Sequence, residues 1–390
     1  MNYSVSRMEK IIDAIDKELL LAELTPDKKL RNTNKGGNEI YVVTYHDSPN
    51  VLKEIGRLRE IAFRENNSGS GKACDLDMYD MLEKPYRQLI VWDPDAEKII
   101  GGYRFICGPD IVMDEKGIPV LTSSHLYAYS RKFIEEYLPH AMELGRAFVV
   151  PEYQSSKAGR KAIFALDNLW DGLGALMAEM PTIKYFFGKV TISNDYNLYC
   201  RELINYFLTI YFPDKEKLMY PHAPLVTSME PGAFDGLFSG NDFKTDYAVL
   251  NREVRAKGET IPPLVNAYIK LSDSMMYFGS CVNDELEDCI EAGILIDFDQ
   301  MYEEKKERHV DSFIKEKKDI IEQRFPEFAS NAGESLFSQL QQRRAVRQAR
   351  RLQRLEARKA EKAERKQRKA MAEIQKGVDN ILEHFKVRIN

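Results

Sequence analysis

Charged residues with the chemistry for an active site recur in four short patterns within the first 150 residues. The patterns are Arg59-x-x-x-Phe63, Asp75-x-Asp77-x-x-Asp80, Gly101-Gly102-Tyr103-Arg104 and Glu143-Leu144-Gly145-Arg146-x-x-Val149. Singly, each is common, since acidic loops are usually solvated and a strand arginine usually pairs with a structural carboxylate. Together they supply carboxylates that could accept a proton and arginines that could bind an anion.

The elements that must position these residues follow a mixed α/β pattern. Runs of β-branched and aromatic residues predict strands, and apolar residues at helical spacing predict helices. The predicted strands are 39–45, 87–92, 98–107, 142–150 and 185–192, and the predicted helices are 4–24, 50–66, 161–180 and 196–212. Since strands 142–150 and 185–192 flank a helix, we expect parallel neighbours joined by a right-handed crossover. Charges on such central strands are costly unless paired, so we expect an internal ion-pair network beside a cleft.

Downstream of residue 212 the pattern weakens. Residues 213–300 are predicted to be irregular with short helices, whereas 301–324 and 334–390 are predicted to be helical and highly charged. We therefore divide the chain into an N-terminal helical segment, a catalytic core, an extension of the catalytic domain and a basic amphipathic helical tail. These units span 1–36, 37–212, 213–330 and 331–390.

The four patterns together resemble those of the GCN5-related N-acetyltransferase (GNAT) superfamily. They are similar to acyl-homoserine-lactone synthases and more similar to the lipid-forming N-acyltransferases often labelled "hemolysin", of the glycine-lipid and ornithine-lipid type. The phrases ELGRAFVVPEYQ and YFFGKVTISNDY carry much of the likeness, which covers roughly residues 40–212. The resemblance implies a GNAT-like α/β fold. Its mixed, largely antiparallel sheet has a splayed parallel pair and flanking helices, followed here by a C-terminal helical tail.

The resemblance also implies a reaction. The chain would be an N-acyltransferase that moves a long, 3-hydroxylated fatty acyl group from acyl carrier protein to the α-amine of a small amino acid. Glycine is the first expectation for the acceptor and ornithine the second, in aminolipid biosynthesis. The acyl-phosphopantetheine of the carrier protein would be a co-substrate, with no permanently bound cofactor and no metal. The amine attacks the thioester directly, so the protein must take a proton and stabilise the oxyanion.

The resemblance assigns roles to the four patterns. Glu143, Arg146 and Arg104 would be catalytic, with Glu143 taking the proton from the amine directly or through water. The acceptor would be bound by Arg59, Asp75, Asp77 and Asp80. The alternative is that the three aspartates order the loop and that Arg59 and Arg104 pair with them. For Glu143 the alternative is a purely structural ion pair with Arg104 or Arg146.

The loop after strand 142–150 departs from the superfamily pattern (Q/R)xxGx(G/A). It begins at Gln154 and ends at Gly159, with Lys157 where the first glycine is expected. Such a loop suits the single phosphate of phosphopantetheine better than the pyrophosphate of coenzyme A, since backbone N–H groups at a helix N-terminus still bind one phosphate. The implied donor-binding residues are Val149, Val150, Gln154, Lys157, Gly159 and Arg160. The alternative for the basic residues is a solvated helix start.

Aromatic residues near the predicted parallel pair could line a channel for the acyl chain. The candidates are Phe105, Phe148, Phe164, Leu169, Trp170 and Phe186. At helical and strand spacing, such residues are more often plain core. Tyr196 and Tyr199 follow strand 185–192, where this superfamily sometimes keeps an acid for the leaving thiolate; a core or rim tyrosine is the alternative.

The net charge of −5 is the sum of a strongly basic segment and a strongly acidic remainder of the chain. Residues 343–369 carry 13 Lys/Arg and three Glu, a net of +10, whereas 1–342 carry 40 basic and 55 acidic residues, a net of −15. The basic amphipathic tail suits an anionic membrane surface. Self-docking or oligomer formation are alternatives, and nucleic acid is the weakest because no aromatic residues are interleaved.

Other features limit the compartment and the function. The longest apolar stretch is too short to span a bilayer and the N-terminus has no signal-peptide core, so we expect a cytoplasmic protein peripheral to the inner membrane. The five scattered cysteines form no CxxC pair and predict neither a zinc site nor disulfides. Two other functions stay open: an acyl-homoserine-lactone-type signal synthase, and a catalytically inactive GNAT adaptor at membranes.

Overall fold

The computed structural model describes residues 8–154, 159–180, 182–272 and 274–317, with only the backbone described for 159–163. The predicted tail 331–390 lies outside the described residues. In the described part of the chain, no helix is long and apolar enough to cross a membrane.

The described residues form a mixed α/β fold around one large sheet. The strands are β1 Lys29–Asn32, β2 Glu39–Val43, β3 Arg87–Asp93, β4 Lys98–Cys107, β5 Tyr127–Tyr129, β6 Ala141–Val149, β7 Tyr185–Ile192, β8 Met219–Pro221, β9 Met276–Asn283 and β10 Cys289–Asp297. The helices are α1 Lys17–Glu23, α2 Pro49–Arg64, α3 Gly159–Glu179, α4 Leu198–Tyr211, α5 Phe243–Ala256, α6 Pro263–Ile269, α7 Glu303–Lys306 and α8 Ser312–Glu316.

The large sheet has the strand order β1-β2-β3-β4-β6-β7-β10-β9, and β5 and β8 form a separate antiparallel pair. Within the large sheet, β6 and β7 are parallel and every other neighbouring pair is antiparallel. The predicted α/β fold class, with a largely antiparallel sheet, a parallel pair and flanking helices, is therefore confirmed.

The parallel pair carries the feature that matters for function. β6 and β7 pair from Ala141–Tyr185 to Leu144–Gly188, and the ladder ends there although both strands continue. The strands therefore separate beyond Leu144 and Gly188. The connection between them runs through α3, as the pattern of the sequence predicted.

The predicted N-terminal helix over 4–24 is wrong in its first part. The helix begins at Lys17, and residues 8–16 have no regular secondary structure. The N–H groups of Glu9 and Ile12 instead donate to the carbonyl oxygens of Gly71 and Ala73, at 2.9 and 3.0 Å. These tertiary backbone hydrogen bonds replace the intrahelical ones, which an apolar periodicity alone does not reveal.

The prediction that 213–300 is irregular with short helices holds for the two short helices α5 and α6 but is wrong for 276–297, which form β9 and β10. β10 pairs with β7 along its length, from Ile290–Ile192 to Asp297–Tyr185, and β9 covers the outer edge of β10. Nearly every residue of β10 is buried, so the strand has no alternation of apolar and polar positions that would reveal it. The division of the chain into four units stays a prediction.

Candidate active site

A cavity of about 570 Å³ opens where β6 and β7 separate. Its walls include residues 144–149 of β6, parts of β7, the loop after α2 and residues 259, 260 and 262–264. This volume lies in the range of pockets that bind small molecules. We call it the β6–β7 cavity.

Two arginines on the cavity wall are held by aspartates of the predicted acidic loop. Nη1 of Arg104 lies 2.7 Å from Oδ2 of Asp77 and 3.3 Å from Oδ2 of Asp80. Arg146 binds Asp75 through two nitrogens, with Nε 2.9 Å from Oδ2 and Nη2 3.1 Å from Oδ1. Both guanidinium groups are thus already paired by carboxylates of this chain.

Arg59 completes the network from α2 without touching the cavity. The side chain is fully buried, with Nη1 3.6 Å from Oδ2 of Asp80, and it donates a short hydrogen bond to Oε1 of Gln88. Nε2 of Gln88 donates in turn to Oδ1 of Asp80 at 2.9 Å. Burial lowers the pKa of Arg59, and Asp80 opposes that change. The internal ion-pair network expected from the sequence is present.

The electrostatics of the network favour the charged state of its acidic loop. Burial raises the pKa of Asp77, but Arg104 and Arg146 more than compensate, so the pKa lies below its ordinary value. Asp77 also caps a short 3-10 turn, since its side chain accepts from the N–H of Tyr79 at 3.0 Å. The loop is therefore fixed both by its own backbone and by the arginines.

A β-bulge turns Arg146 toward Asp75. The β4–β6 register shifts between Gly102–Phe148 and Arg104–Gly145, which leaves an extra residue on β6. Arg146 takes a φ of 48°, a left-handed conformation that is uncommon for a residue other than glycine. A Cβ at Gly101 would lie 2.7 Å from the carbonyl oxygen of Phe148, so glycine allows β4 to approach the bulge.

Glu143 lies outside the network and outside the cavity wall. It is fully buried, and its carboxylate accepts short hydrogen bonds from the hydroxyls of Tyr86 and Ser123. The backbone N–H groups of Ser123 and Thr122 add two more, at 2.9 and 3.3 Å. In the described structure no ion pair within 4.0 Å joins Glu143 to an arginine, so the alternative considered for it, a structural ion pair with Arg104 or Arg146, is wrong.

Two cavity residues were missed from the sequence. Lys189 of β7 donates from Nζ to the carbonyl oxygen of Thr122 at 2.8 Å. Glu291 of β10 accepts from Oγ1 of Thr191 at 3.1 Å and from Nδ2 of Asn283 at 3.0 Å. Burial lowers the pKa of Lys189, and Glu291 opposes that change. A lone lysine inside the apolar strand YFFGKVTI was the available signal; Glu291 lay in a stretch predicted to be irregular.

The structure separates the two tyrosines considered for the leaving thiolate. Tyr196 lines the cavity and donates from its hydroxyl to the carbonyl oxygen of Thr260 at 3.0 Å. Burial raises its pKa, so the phenol keeps its proton at neutral pH. Tyr199 packs against Phe234 instead, with Nζ of Lys257 4.9 Å from its ring centroid.

The predicted donor-binding residues are only partly described. Val149 and Gln154 line the cavity, and Nε2 of Gln154 donates to the carbonyl oxygen of Val149 at 2.7 Å. The N–H of Val150 donates to the carbonyl oxygen of Ile100 at 3.0 Å, so it is engaged within the sheet. Gly159 begins α3, whereas Lys157 and the side chain of Arg160 lie outside the described residues. Binding of a phosphate here stays a prediction.

The residues considered for an acyl channel do not share one location. Phe148 lines the β6–β7 cavity, while Phe186 borders a separate void of about 20 Å³. Phe105, Leu169 and Trp170 are buried in the core. Phe164 is partly exposed, with Nζ of Lys35 5.5 Å from its ring centroid. Across the described residues, no group of three or more His, Cys, Asp or Glu side chains is placed to hold a metal ion.

Known proteins resemble this chain over most of its length. Residues 58–162 match the family described as "Acetyltransferase (GNAT) domain". A "Glycine N(alpha)-acyltransferase" of Phocaeicola vulgatus is 54% identical over 309 residues, which is 79% of this chain and 95% of the relative. A protein of the same name from Bacteroides thetaiotaomicron is 52% identical over 314 residues, or 80% and 93% of the two chains. A solved CoA-dependent acyl-homoserine lactone synthase with SAM and isopentyl-CoA aligns at 12% identity and a TM-score of 0.30, over 78% of this chain and 99% of that one.

Proposed function

This chain belongs to the same family as the two glycine N(alpha)-acyltransferases and is an acyltransferase with a GNAT domain, and we propose that it acylates the α-amine of glycine. Ornithine is the second candidate for the acceptor. The observation that carries the proposal is the identity above 50% to these relatives along nearly their whole length. The β6–β7 cavity supports it, since a thioester and a small amine could meet there.

We propose that the donor is a thioester whose pantetheine arm lies along β6. The cavity is bordered by residues 144–149 and also by Gln154, just before the loop expected to bind phosphate. The carbonyl of the thioester would then lie beside the backbone of Phe148 and Val149. An N–H at this position would stabilise the oxyanion of the tetrahedral intermediate.

The reaction transfers the acyl group in one addition and one elimination. The neutral amine attacks the thioester carbon, the C–N bond forms, and the C–S bond breaks as the thiolate leaves. Tyr196 is proposed to protonate the thiolate, since its phenol lies on the cavity wall. The proton that the nitrogen loses as the amide forms then returns to the phenolate of Tyr196, and the proton lost by the α-ammonium before attack goes to solvent. The products are the thiol and the amide.

The predicted catalytic and acceptor-binding residues receive revised roles. Arg104 and Arg146 border the cavity but are already paired with Asp75, Asp77 and Asp80, so they are proposed to hold the wall rigid. Glu143 is proposed as a positioning residue. It anchors the backbone of Thr122 and Ser123, and the carbonyl of Thr122 in turn holds Lys189.

The finer identity of the donor rests on sequence. We propose acyl carrier protein as the carrier, because Lys157 replaces the first loop glycine of the superfamily pattern. The long 3-hydroxyacyl group is proposed from the resemblance to the lipid-forming N-acyltransferases. The product would be an aminolipid precursor. Peripheral attachment to an anionic membrane by the tail 331–390 would place the enzyme beside its product, and the +10 charge of residues 343–369 supports this.

The proposal is tested by mass spectrometry of the products. The purified protein is mixed with a 3-hydroxypalmitoyl thioester of acyl carrier protein or of coenzyme A, and with glycine, ornithine or S-adenosylmethionine. We expect N-acylglycine as the main product, with the carrier-protein donor preferred. A product from S-adenosylmethionine alone would favour a signal synthase, and no product from any pair would support an inactive adaptor.

Lipid analysis of cells provides the second arm. Cells that express the wild-type chain should accumulate an N-acylglycine lipid, and cells that express Glu143→Ala should lose it because the site residues are no longer positioned. If the variant is folded and makes wild-type amounts of lipid, the role of Glu143 is refuted while the proposed function stands.

A further inference from the structure

One wall of the β6–β7 cavity has no role in the steps above. Lys189 and Glu291 lie on this wall, on the neighbouring strands β7 and β10. Glu291 is the register partner of Thr191, and Lys189 precedes Thr191 by two residues. The two side chains therefore share one face of the sheet as diagonal neighbours, with Cα atoms roughly 7–8 Å apart.

Lys189 is a half-buried cation with no carboxylate oxygen of the described residues within ion-pair distance. Its ammonium has three N–H donors, and one of them binds the carbonyl oxygen of Thr122. Among the described residues, no carboxylate oxygen lies within 4.0 Å of Nζ. Glu291 and then Glu143 raise the pKa of Lys189 against the effect of burial, but neither forms an ion pair with it, and the oxygens of Glu143 accept from neutral donors. A partly buried ammonium in this state gains stability when an anion pairs with it.

Glu291 is a buried carboxylate that has no cationic partner among the described residues. It is only 2% exposed, and its two hydrogen bonds come from the uncharged groups of Thr191 and Asn283. Within the described residues, no Lys, Arg or His nitrogen lies within 4.0 Å of its carboxylate. A carboxylate can accept about four hydrogen bonds, so capacity for a cationic donor remains.

The other cations of the cavity are already neutralised. Arg146 is paired with Asp75, and Arg104 with Asp77 and Asp80. In the described part of the chain, Lys189 is thus the cavity-lining cation that has no such partner. An anionic group of a substrate would find its counter-charge at Lys189 rather than at the arginines.

We propose that Lys189 and Glu291 bind the two charged ends of a free α-amino acid, the carboxylate at Lys189 and the ammonium at Glu291. The inference rests on the proposed function and narrows its acceptor to a zwitterion. A zwitterion supplies one charge of each sign and so pairs Lys189 and Glu291 at once, which a simple amine or an amino-acid ester does not. Glycine and ornithine both satisfy this requirement at their α-carbons.

The test compares glycine with glycinamide, which keeps the amine and lacks the carboxylate charge. The full-length chain is assayed as wild type, Lys189→Met, Lys189→Arg and Glu291→Gln, with Lys132→Met and Glu135→Gln as controls at exposed positions. We expect Lys189→Met to lower kcat/KM for glycine about 100-fold, mainly through KM, because a buried charge loses its partner. Its kcat/KM for glycinamide should change less than about threefold, so the preference for glycine disappears.

The remaining variants keep the inference falsifiable if Lys189→Met is unstable. Lys189→Arg should retain part of the preference for glycine. Glu291→Gln should lower kcat/KM for glycine and for glycinamide by similar factors, because both acceptors carry the amine. If Lys189→Met folds and keeps the wild-type ratio of glycine to glycinamide, the inference is overturned. If Lys189→Met does not fold, a folded Glu291→Gln that leaves kcat/KM for both amines unchanged overturns it. The controls should behave as wild type.

Failure of the proposed function gives a different result. If the wild type acylates ornithine or another free amino acid instead of glycine, and Lys189→Met abolishes that activity, the proposed acceptor is wrong and the inference stands. If the wild type acylates glycine and glycinamide equally well, acylation of glycine stands and the inference is overturned. If the wild type acylates only amines without a carboxylate, both are overturned.

Discussion

At the scale of single residues, residue charge alone did not identify the groups that line the β6–β7 cavity. Arg59 and Asp80 belong to recognisable patterns, yet both are fully buried and away from the cavity. Lys189 and Glu291 belong to no pattern, yet they line it. The distinguishing property is whether a charge is satisfied by the chain itself, which depends on neighbours distant in sequence.

Tyr196 gives the clearest prediction at this scale. Tyr196→Phe should lower kcat about 100-fold with little change in KM, since the phenol is proposed to protonate the leaving thiolate and not to bind the acceptor. The matched control is Tyr199→Phe, which is three residues away and packs against Phe234. Steady-state kinetics with one acyl donor measure both variants. Equal activity of the two variants would contradict the assignment.

At the scale of elements, the site depends on how β4, β6 and β7 approach one another. The β4–β6 bulge directs Arg146 toward Asp75, and the end of the β6–β7 ladder opens the cavity. Small residues allow both features. The pair Gly101-Gly102 therefore serves close packing of backbone rather than chemistry.

Gly188 should be the most sensitive glycine at the opening of the strands. A Cβ there would lie 2.3 Å from the carbonyl oxygen of Leu144, in the last pair of the parallel ladder. Gly188→Ala should therefore lower the free energy of unfolding by about 1–3 kcal/mol and reduce activity. Urea denaturation measures the change.

Gly145→Ala is the matched control on β6. A Cβ at Gly145 would lie 3.7 Å from Nε of Arg104, which is ordinary contact. The free energy of unfolding should change by about 0.5 kcal/mol or less. If both alanine variants are equally stable, the close contact at Gly188 is not needed to hold the strands together.

The acidic loop should make stability depend on pH. The pKa of Asp77 in the folded protein lies below its ordinary value of 3.8, because Arg104 and Arg146 outweigh the effect of burial. The ionised carboxylate therefore stabilises the fold above that value, and the contribution is lost as pH falls through the folded pKa. Asp77→Asn should lower the urea midpoint at pH 6 and flatten its decline between pH 5 and 3. A decline as steep as that of the wild type would contradict this assignment.

At the scale of the whole molecule, the sheet extends beyond the core expected from the sequence. β9 and β10 add two strands beside β7, and β10 contributes Glu291 to the cavity. Residues after 212 thus line the β6–β7 cavity themselves. The charge difference between residues 1–342 and 343–369 is the other feature at this scale, and it belongs to the sequence alone.

The basic segment predicts binding to anionic membranes. Each Lys or Arg near such a surface contributes on the order of 1 kcal/mol. Replacing Arg343, Arg344, Arg347 and Arg350 with Gln should therefore weaken binding to phosphatidylglycerol vesicles about 100-fold or more, without changing turnover of a water-soluble donor. Vesicle co-sedimentation measures the binding, with phosphatidylcholine vesicles as the control. Unchanged binding to the anionic vesicles would remove the membrane proposal.

The sequence by itself determined the family and most of the sheet. The resemblance carried by the four patterns is confirmed by relatives more than 50% identical, and β7 begins and ends where the sequence predicted. This was feasible because β-branched and aromatic runs, helix periodicity and glycine–arginine spacings are local properties of the chain.

Only the tertiary structure decided which charged groups are free to act. Glu143 has the residue type of a general base, but Tyr86 and Ser123 occupy its carboxylate. Lys189 and Glu291 are more than 100 residues apart in sequence and line the same cavity because β7 pairs with β10. Satisfaction of a buried charge is a property of long-range contacts, and neither composition nor local periodicity carries that information.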